Sequence, residues 1–253
     1  MKIVIIGNGL IGSQLATRLA DAGHDVSALG RGDGIDTTTG EGLDRVLVGA
    51  EVVVDLTNSP SWADDDVLAF FRDSSTHLLA AGRAAGVGHH VILSIVGADL
   101  LPDAGYLRAK VAQEQLVQSG PLPFTIVRST QFFEFVPGIA DAATVGDTVH
   151  ATPGRLQPIA SSDVVTHLAE VVAGPAQNAT VEIAGPEPLG IDELVRRLFA
   201  TTGDGRAVLT DPHATYFGAE IDDQLIPAPG ADAWIAPAAY GTWLGSTGSR
   251  RAS

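Results

Sequence analysis

The sequence predicts a doubly wound α/β fold, a parallel sheet covered by helices on both faces. Three observations predict it. Apolar runs alternate with stretches of helical periodicity through the first half of the chain, the pattern of strand, crossover helix and parallel strand. The runs (KIVIIG, EVVVDL, HVILSIV) are nearly unbroken Val, Ile and Leu, as strands buried on both faces require. The 253 residues are 45% hydrophobic, which supports one large core and excludes wholesale disorder.

The elements follow in order. Lys2–Gly7 reads as the first strand, and Leu10–Ala22 as a helix ending at Gly23. Asp25–Leu29 is a second strand and Gly34–Thr37 a very short third. Glu51–Leu56 is a strand. Asp65–Ala85 is a helix with Gly86 as its C-terminal cap. His90–Val96 is a strand, Tyr106–Ser119 a helix and Phe124–Arg128 a strand. Right-handed crossovers place the strand order near 3-2-1-4-5-6. After Phe132 the pattern loosens. Ser161–Ala173 and Ile191–Thr202 read as helices and Thr180–Ala184 as a strand, among Pro153, Pro158, Pro186, Pro188, Pro227 and Pro229. The division expected is a core over residues 1–130, an interleaved lobe over 131–244, and a Gly/Ser-rich disordered tail over 245–253.

Composition removes several classes of function. There is no cysteine, hence no disulfide, thiolate metal site or cysteine nucleophile. The net charge is −15. A nucleic-acid or anionic membrane surface calls for the opposite sign. Four aliphatic residues, Ile3 to Ile6, precede the first glycine. A signal peptide needs about 7–15 apolar residues and a membrane span about 20. The expectation is a soluble, cytoplasmic protein.

Gly7-Asn8-Gly9-Leu10-Ile11-Gly12 fits G-x-G-x-x-G. In a chain with 29 glycines the bare pattern arises by chance. Its position between the first strand and the first helix is what the dinucleotide mechanism needs. Gly7 permits the tight turn, Gly9 lets the backbone approach a pyrophosphate, and Gly12 lets helix and sheet pack closely. The helix N-terminus then faces the phosphates. The alternative is a turn without a ligand. At the end of the second strand an acid would bind a ribose 2′-hydroxyl and select NAD. Gly30-Arg31 stands there instead. A guanidinium clamps a 2′-phosphate, so NADP(H) is favoured over NAD(H). Asp33 works against that reading, and a solvated Arg31 is the alternative.

Tyr106 and Lys110 are four apart in a helix and share a face. With two lysines and three tyrosines in the chain, coincidence is a weak explanation. A neighbouring ammonium lowers a phenol's pKa and suits it to proton transfer; the alternative is a half-buried Tyr beside a surface Lys. Ser94 ends the preceding strand, at the carboxyl edge where ligands bind such sheets. No G-x-S-x-G elbow and no Walker loop occur. His89 and His90 point to opposite strand faces and cannot jointly hold a metal, and no metal site is expected. Trp62, Trp234 and Trp243 read as packing residues. Arg128 reads as a strand-end cap or ion-pair partner.

This combination resembles the short-chain dehydrogenase/reductase superfamily from Met1 to about Arg128. Gln131-Phe132-Phe133-Glu134-Phe135 and Ala184-Gly185-Pro186-Glu187 are similar to its atypical NmrA-like and epimerase-like branch. The resemblance implies a Rossmann core and a C-terminal lobe that covers the substrate. It assigns Ser94 to orienting the substrate and Tyr106 to general acid/base work. Lys110 would hold the nicotinamide ribose and tune Tyr106. Leu56, Thr57 and Asn58 would line the cofactor, and Gln131, Phe132 and Phe133 the substrate. The sequence reads LTNSP where the best-known branch has N-N-A-G, so that branch's asparagine network does not carry over. The activity implied is NADPH-dependent reduction of a small carbonyl compound. The alternatives are a non-catalytic NADP(H) sensor working through a protein partner, and epimerase or dehydratase chemistry. A homo-oligomer is compatible with either.

Overall fold

The computed structural model describes residues 1–251, with side chains described through residue 246. In chain order the elements are β1 (Lys2–Ile6), α1 (Leu10–Asp21), β2 (Asp25–Leu29), α2 (Leu43–Val46), β3 (Val52–Asp55), α3 (Asp64–Ala85), β4 (His89–Ile95), α4 (Gly105–Gln118) and β5 (Phe124–Ser129). Then follow α5 (Val136–Ala142), β6 (Thr144–Val145), β7 (Thr148–Ala151), β8 (Arg155–Leu156), α6 (Ser161–Ala173), β9 (Ala179–Ala184), β10 (Leu189–Gly190), α7 (Ile191–Thr202), β11 (Ala207–Thr210), β12 (Ala233–Ile235) and α8 (Tyr240–Arg251).

The main sheet has seven strands in the order β12-β9-β5-β4-β3-β1-β2. β1 pairs in parallel with β2 and with β3, β3 with β4, and β9 with β12. This is the Rossmann-like arrangement expected, with one correction. The third strand expected at Gly34–Thr37 is reduced to an isolated bridge between Asp36 and Glu41. Gly34 at φ +74 turns the chain. Asp36 spends its carboxylate on the Thr38 amide and hydroxyl, at 2.8 and 2.6 Å, a local turn that competes with strand pairing. β2 is therefore the sheet's last strand on that side.

The chain forms two compact units: residues 1–94, 105–128 and 164–181, and residues 95–104, 129–163 and 182–253. In the first unit, Val4, Ile6 and Val53 of the sheet pack with Leu43, Leu47, Leu78 and Leu79. A second cluster joins α3 to α4 through Val67, Phe70, Phe71 and Ala109. Three carboxylates open α3, Asp64 to Asp66, and Gly86 caps it at φ +75. Both features suit the helix dipole and the left-handed terminus.

The second unit is built from short pairings. β7 lies between β11 (parallel) and β6 (antiparallel), and β8 pairs with β10. Phe133, Tyr240 and Trp243 form its aromatic centre, with ring centroids 5.0–6.0 Å apart. That cluster starts α8, so the segment 245–253, expected as a disordered tail, is helical to Arg251. Residues 252–253 lie outside the described residues.

Candidate functional site

Gly7 leaves β1 at φ +110, with its N–H donated to Leu29 O at 2.8 Å. A Cβ there would stand 2.5 Å from Leu56 O, and one on Gly12 1.8 Å from Gly7 O. Both positions are closed by backbone. Gly9 differs: its φ is −74, and nothing lies within 4 Å of the place a Cβ would take. The loop therefore needs two of its glycines for folding, and the third faces open space. Leu10 and Ile11 follow it into α1. That helix has neither a side-chain cap nor an acidic residue in its first turn, so its leading N–H groups and positive dipole end remain for an anion. Gly12→Ala is expected to lower stability by about 3 kcal/mol or more, and Gly9→Ala by under about 0.5 kcal/mol. Urea denaturation of the two variants checks this; equal losses would contradict the assignment of roles.

At the end of β2, Gly30 donates its N–H to Asp33 Oδ2 at 2.9 Å, and Asn8 Nδ2 reaches the same oxygen at 3.4 Å. The Asp33 carboxylate is folded back onto the glycine loop. Arg31 is exposed, and its guanidinium makes no hydrogen bond or ion pair among the described residues. Asp36 is held below its usual carboxylate range, chiefly by the two Thr38 hydrogen bonds and to a smaller degree by the Arg31 charge.

β3 runs Val52-Val53-Val54-Asp55, wholly buried. A carboxylate ending an apolar strand needs partners, and it has them. Asp55 Oδ1 accepts from the Thr57 amide at 2.9 Å and hydroxyl at 2.7 Å, and Oδ2 accepts from Gln113 Nε2 at 2.9 Å. Gln113 Oε1 in turn accepts from Lys110 Nζ, which also donates to Leu93 O at 2.8 Å. The ammonium lies 4.5 Å from the Phe71 ring centroid. Burial lowers the Lys110 pKa to about 8, with Asp55 and Glu114 opposing the shift. Glu114 itself is clamped by Arg128 through two hydrogen bonds, at 2.9 and 2.7 Å, so Arg128 is an ion-pair partner.

Tyr106 stands on the same face of α4, yet the two side chains have separate partners. Tyr106 Oη donates to Asn58 Oδ1 at 2.9 Å. Its pKa is pushed up to about 12 by burial, with the Asn58 bond pulling the other way. The sequence expectation was a phenol lowered by Lys110. Burial sets the shift instead, and the Lys110 ammonium is directed to Gln113 and Leu93 O. Ser94 is 3% exposed, and its hydroxyl has no hydrogen-bond partner among the described residues. Such an orphan costs about 1–3 kcal/mol. His90, on the same strand face, is wholly buried with both ring nitrogens unpartnered, and burial lowers its pKa, keeping the ring neutral.

Gln131, Phe132 and Phe133 belong to the second unit. Gln131 Oε1 accepts from Tyr216 Oη at 2.7 Å, and Phe132 stacks on Phe135 at 5.5 Å. Phe133 is fully buried against Tyr240 and Trp243, so it serves the core and offers no surface to a ligand. Trp243 packs as expected. Trp62 does not: it is 66% exposed and leans on Tyr106 at 5.3 Å between ring centroids. Sequence reading missed Asp55, Gln113 and Trp62. The signal for the first two was a lone carboxylate after three valines and a glutamine one helical turn beyond Lys110. Among the described residues no three His, Asp or Glu side chains gather as metal ligands, and no helix is long and apolar enough to cross a membrane.

No protein-family model and no curated protein matches the chain. Solved structures match it throughout. A short-chain dehydrogenase/reductase superfamily protein from Agrobacterium tumefaciens with bound NAD superposes at a TM-score of 0.75 and 18% identity, covering 100% of this chain and 97% of that one. This chain has the Rossmann-like α/β fold of that structure. The same fold is shared by MoeE5 in complex with UDP-glucuronic acid and NAD, at TM-score 0.76, 18% identity and 100% coverage of both chains. It is shared by dTDP-4-dehydrorhamnose reductase from Bacillus anthracis in complex with NADP, at TM-score 0.71, 15% identity and coverage of 87% of this chain and 88% of that one. Within this fold the glycine loop, Asn58, Ser94, Tyr106 and Lys110 all fall in the first unit.

Proposed function

We propose that the protein is an NADPH-dependent oxidoreductase of the short-chain dehydrogenase/reductase type, reducing a small carbonyl compound. The observation that carries the reading is Tyr106, its proton held on Asn58 at 2.9 Å, in the unit that also presents the open Gly9 face. On this reading residues 1–130 hold the cofactor and 131–244 cover the substrate, with Gln131 and Phe132 toward it. Gly9, the first-turn amides at Leu10, Ile11 and Gly12, Gly30, Arg31 and Leu56 to Asn58 hold the dinucleotide. Bound there, the reduced nicotinamide supplies a hydride to the carbonyl carbon. Tyr106 supplies the proton to the oxygen. Its raised pKa keeps the phenol protonated at neutral pH, the form a donor needs in the reducing direction. Oη exchanges Asn58 for the substrate oxygen as it does so. Ser94 supplies the second hydrogen bond to that oxygen, which relieves its unpartnered state. Lys110 has three donor hydrogens and spends two on Leu93 and Gln113; the third serves the ribose.

The sensor reading draws on one observation: Ser94 Oγ is buried and must be uncovered before it can touch a substrate. Screening ketones, aldehydes, quinones and imines for NADPH oxidation tests enzyme against sensor. Tight, redox-selective NADPH binding without any turnover would favour the sensor.

The cofactor preference has its own test. Wild-type protein is expected to bind NADPH more tightly than NADH by calorimetry, and Arg31→Ala to narrow the gap about ten- to a hundredfold, the loss of one charge-assisted phosphate contact. Equal wild-type affinities would remove Arg31 from the site.

A further inference from the structure

We infer that Trp62 is a specificity-determining residue, a flat wall beside Tyr106 that selects an uncharged substrate carrying a planar ring next to its reacting carbonyl. The inference deepens the reductase reading and rests on it. The first observation is the indole itself. Trp62 is 66% exposed, while its inner side leans on the Tyr106 ring at 5.3 Å and a 40° tilt. Phe71 braces Tyr106 in turn, edge-on at 6.0 Å. Aromatic faces in offset or tilted contact attract a further ring or apolar face, and an indole carries a large buriable area.

The second observation is the rigidity of the loop that presents it. Asp55 holds Thr57 by two bonds. Asn58 Oδ1 accepts from the Ser59 amide at 2.9 Å as well as from Tyr106. Ser59 Oγ accepts from the Ser61 amide, and Ser61 Oγ accepts from Ala63 and donates to Asp66 at 2.9 Å. The loop that supplies Tyr106's hydrogen-bond acceptor thus also fixes the indole, so ring and hydroxyl are positioned together. A preorganised aromatic wall loses little entropy on binding.

The third observation sets the charge. Trp62 is followed within four residues by Asp64, Asp65 and Asp66. Arg108 is engaged by Asp64 at 3.0 Å. Carboxylates at close range repel an anion. The fold-neighbour solved with UDP-glucuronic acid takes a ligand with several negative charges, and this wall disfavours such a ligand.

The test compares wild type, Trp62→Ala and Trp62→Phe in NADPH-dependent reduction of acetophenone and of 2-butanone. A parallel titration follows quenching of tryptophan fluorescence by 4-nitroacetophenone, with UDP-glucuronic acid as competitor. Trp62→Ala is expected to lower kcat/KM on acetophenone about ten- to a hundredfold, mainly through KM. On 2-butanone it should stay within about threefold, with NADPH affinity unchanged. Trp62→Phe should retain most of the aryl activity. UDP-glucuronic acid should not displace the aryl ligand. Equal losses on both ketones, no loss on either, or tight competition by UDP-glucuronic acid would overturn the inference and leave the reductase reading standing. If wild type turns over neither these ketones nor any compound of the wider screen yet shows Trp62-dependent quenching, the reductase reading fails and the aromatic wall survives. If turnover and Trp62-dependent quenching are both missing, both fail.

Discussion

Tyr106→Phe is expected to lower kcat by about 10²–10⁴-fold while leaving NADPH affinity within a factor of two or three. The substitution keeps the ring against Phe71 and Trp62, so the α3–α4 packing survives. It removes the hydroxyl that donates to Asn58, and with it the proton destined for the substrate oxygen. Asn58 Oδ1 retains the Ser59 amide, so no acceptor is stranded and little stability is lost. The measurement is steady-state turnover on a substrate found by screening, with a fluorescence titration of NADPH alongside. Full activity in Tyr106→Phe would mean that another group, or water, delivers the proton. Asn58→Ala provides a contrast, because it removes the partner and leaves the phenol; a smaller loss is expected.

The second large effect is in stability, and it comes from Lys110. The ammonium is 4% exposed, and burial lowers its pKa to about 8, well below the ordinary lysine range. Below pH 8 the group is charged in both folded and unfolded chains, and its burial weakens the fold by about 3 kcal/mol. Between about pH 8 and 10.5 the unfolded chain binds more protons than the folded one, so stability rises with pH. Tyr106 acts in the opposite sense. Its folded pKa is raised, and its contribution is lost as pH climbs past 10. Urea unfolding should therefore show stability rising from pH 8 to 10, and Lys110→Met should flatten that slope. A wild-type curve that falls across this window would contradict the buried-ammonium account.

What the sequence made legible depended on how local the signal was. β1, α1, β2, α3, α4 and β5 were readable because each carries its own periodicity and terminator: Gly23 after α1, Gly86 after α3. The glycine loop was readable because Gly7 and Gly12 are demanded by backbone atoms close in the fold. The second unit was harder. β6, β8 and β10 are two residues long, too short for any alternation, and β12 is defined by its pairing to β9. The site was half legible. Tyr106 and Lys110 were found by spacing, but spacing says nothing of where an ammonium points. Lys110 is aimed by Gln113 and Asp55, and Asp55 lies 58 positions from Gln113. Trp62 was read as a packing residue because a tryptophan's exposure depends on the loop beneath it.

The missing third strand has a consequence for how copies of the chain meet one another. With only a bridge at Asp36, β2 is bonded on one side, to β1, and ends the sheet as an open edge. Open edges invite strands from other molecules, and proteins guard them with brevity, charge and turns. β2 is five residues long and opens on Asp25, and the tight turn Arg31–Asp33 follows it. The strongest guard is collective. At a net charge of −15, identical molecules repel before their edges align. Acidification that neutralises the carboxylates weakens this guard while the backbone edge stays as it is. If copies pair at all through β2, the acid side of neutrality is where that pairing is expected.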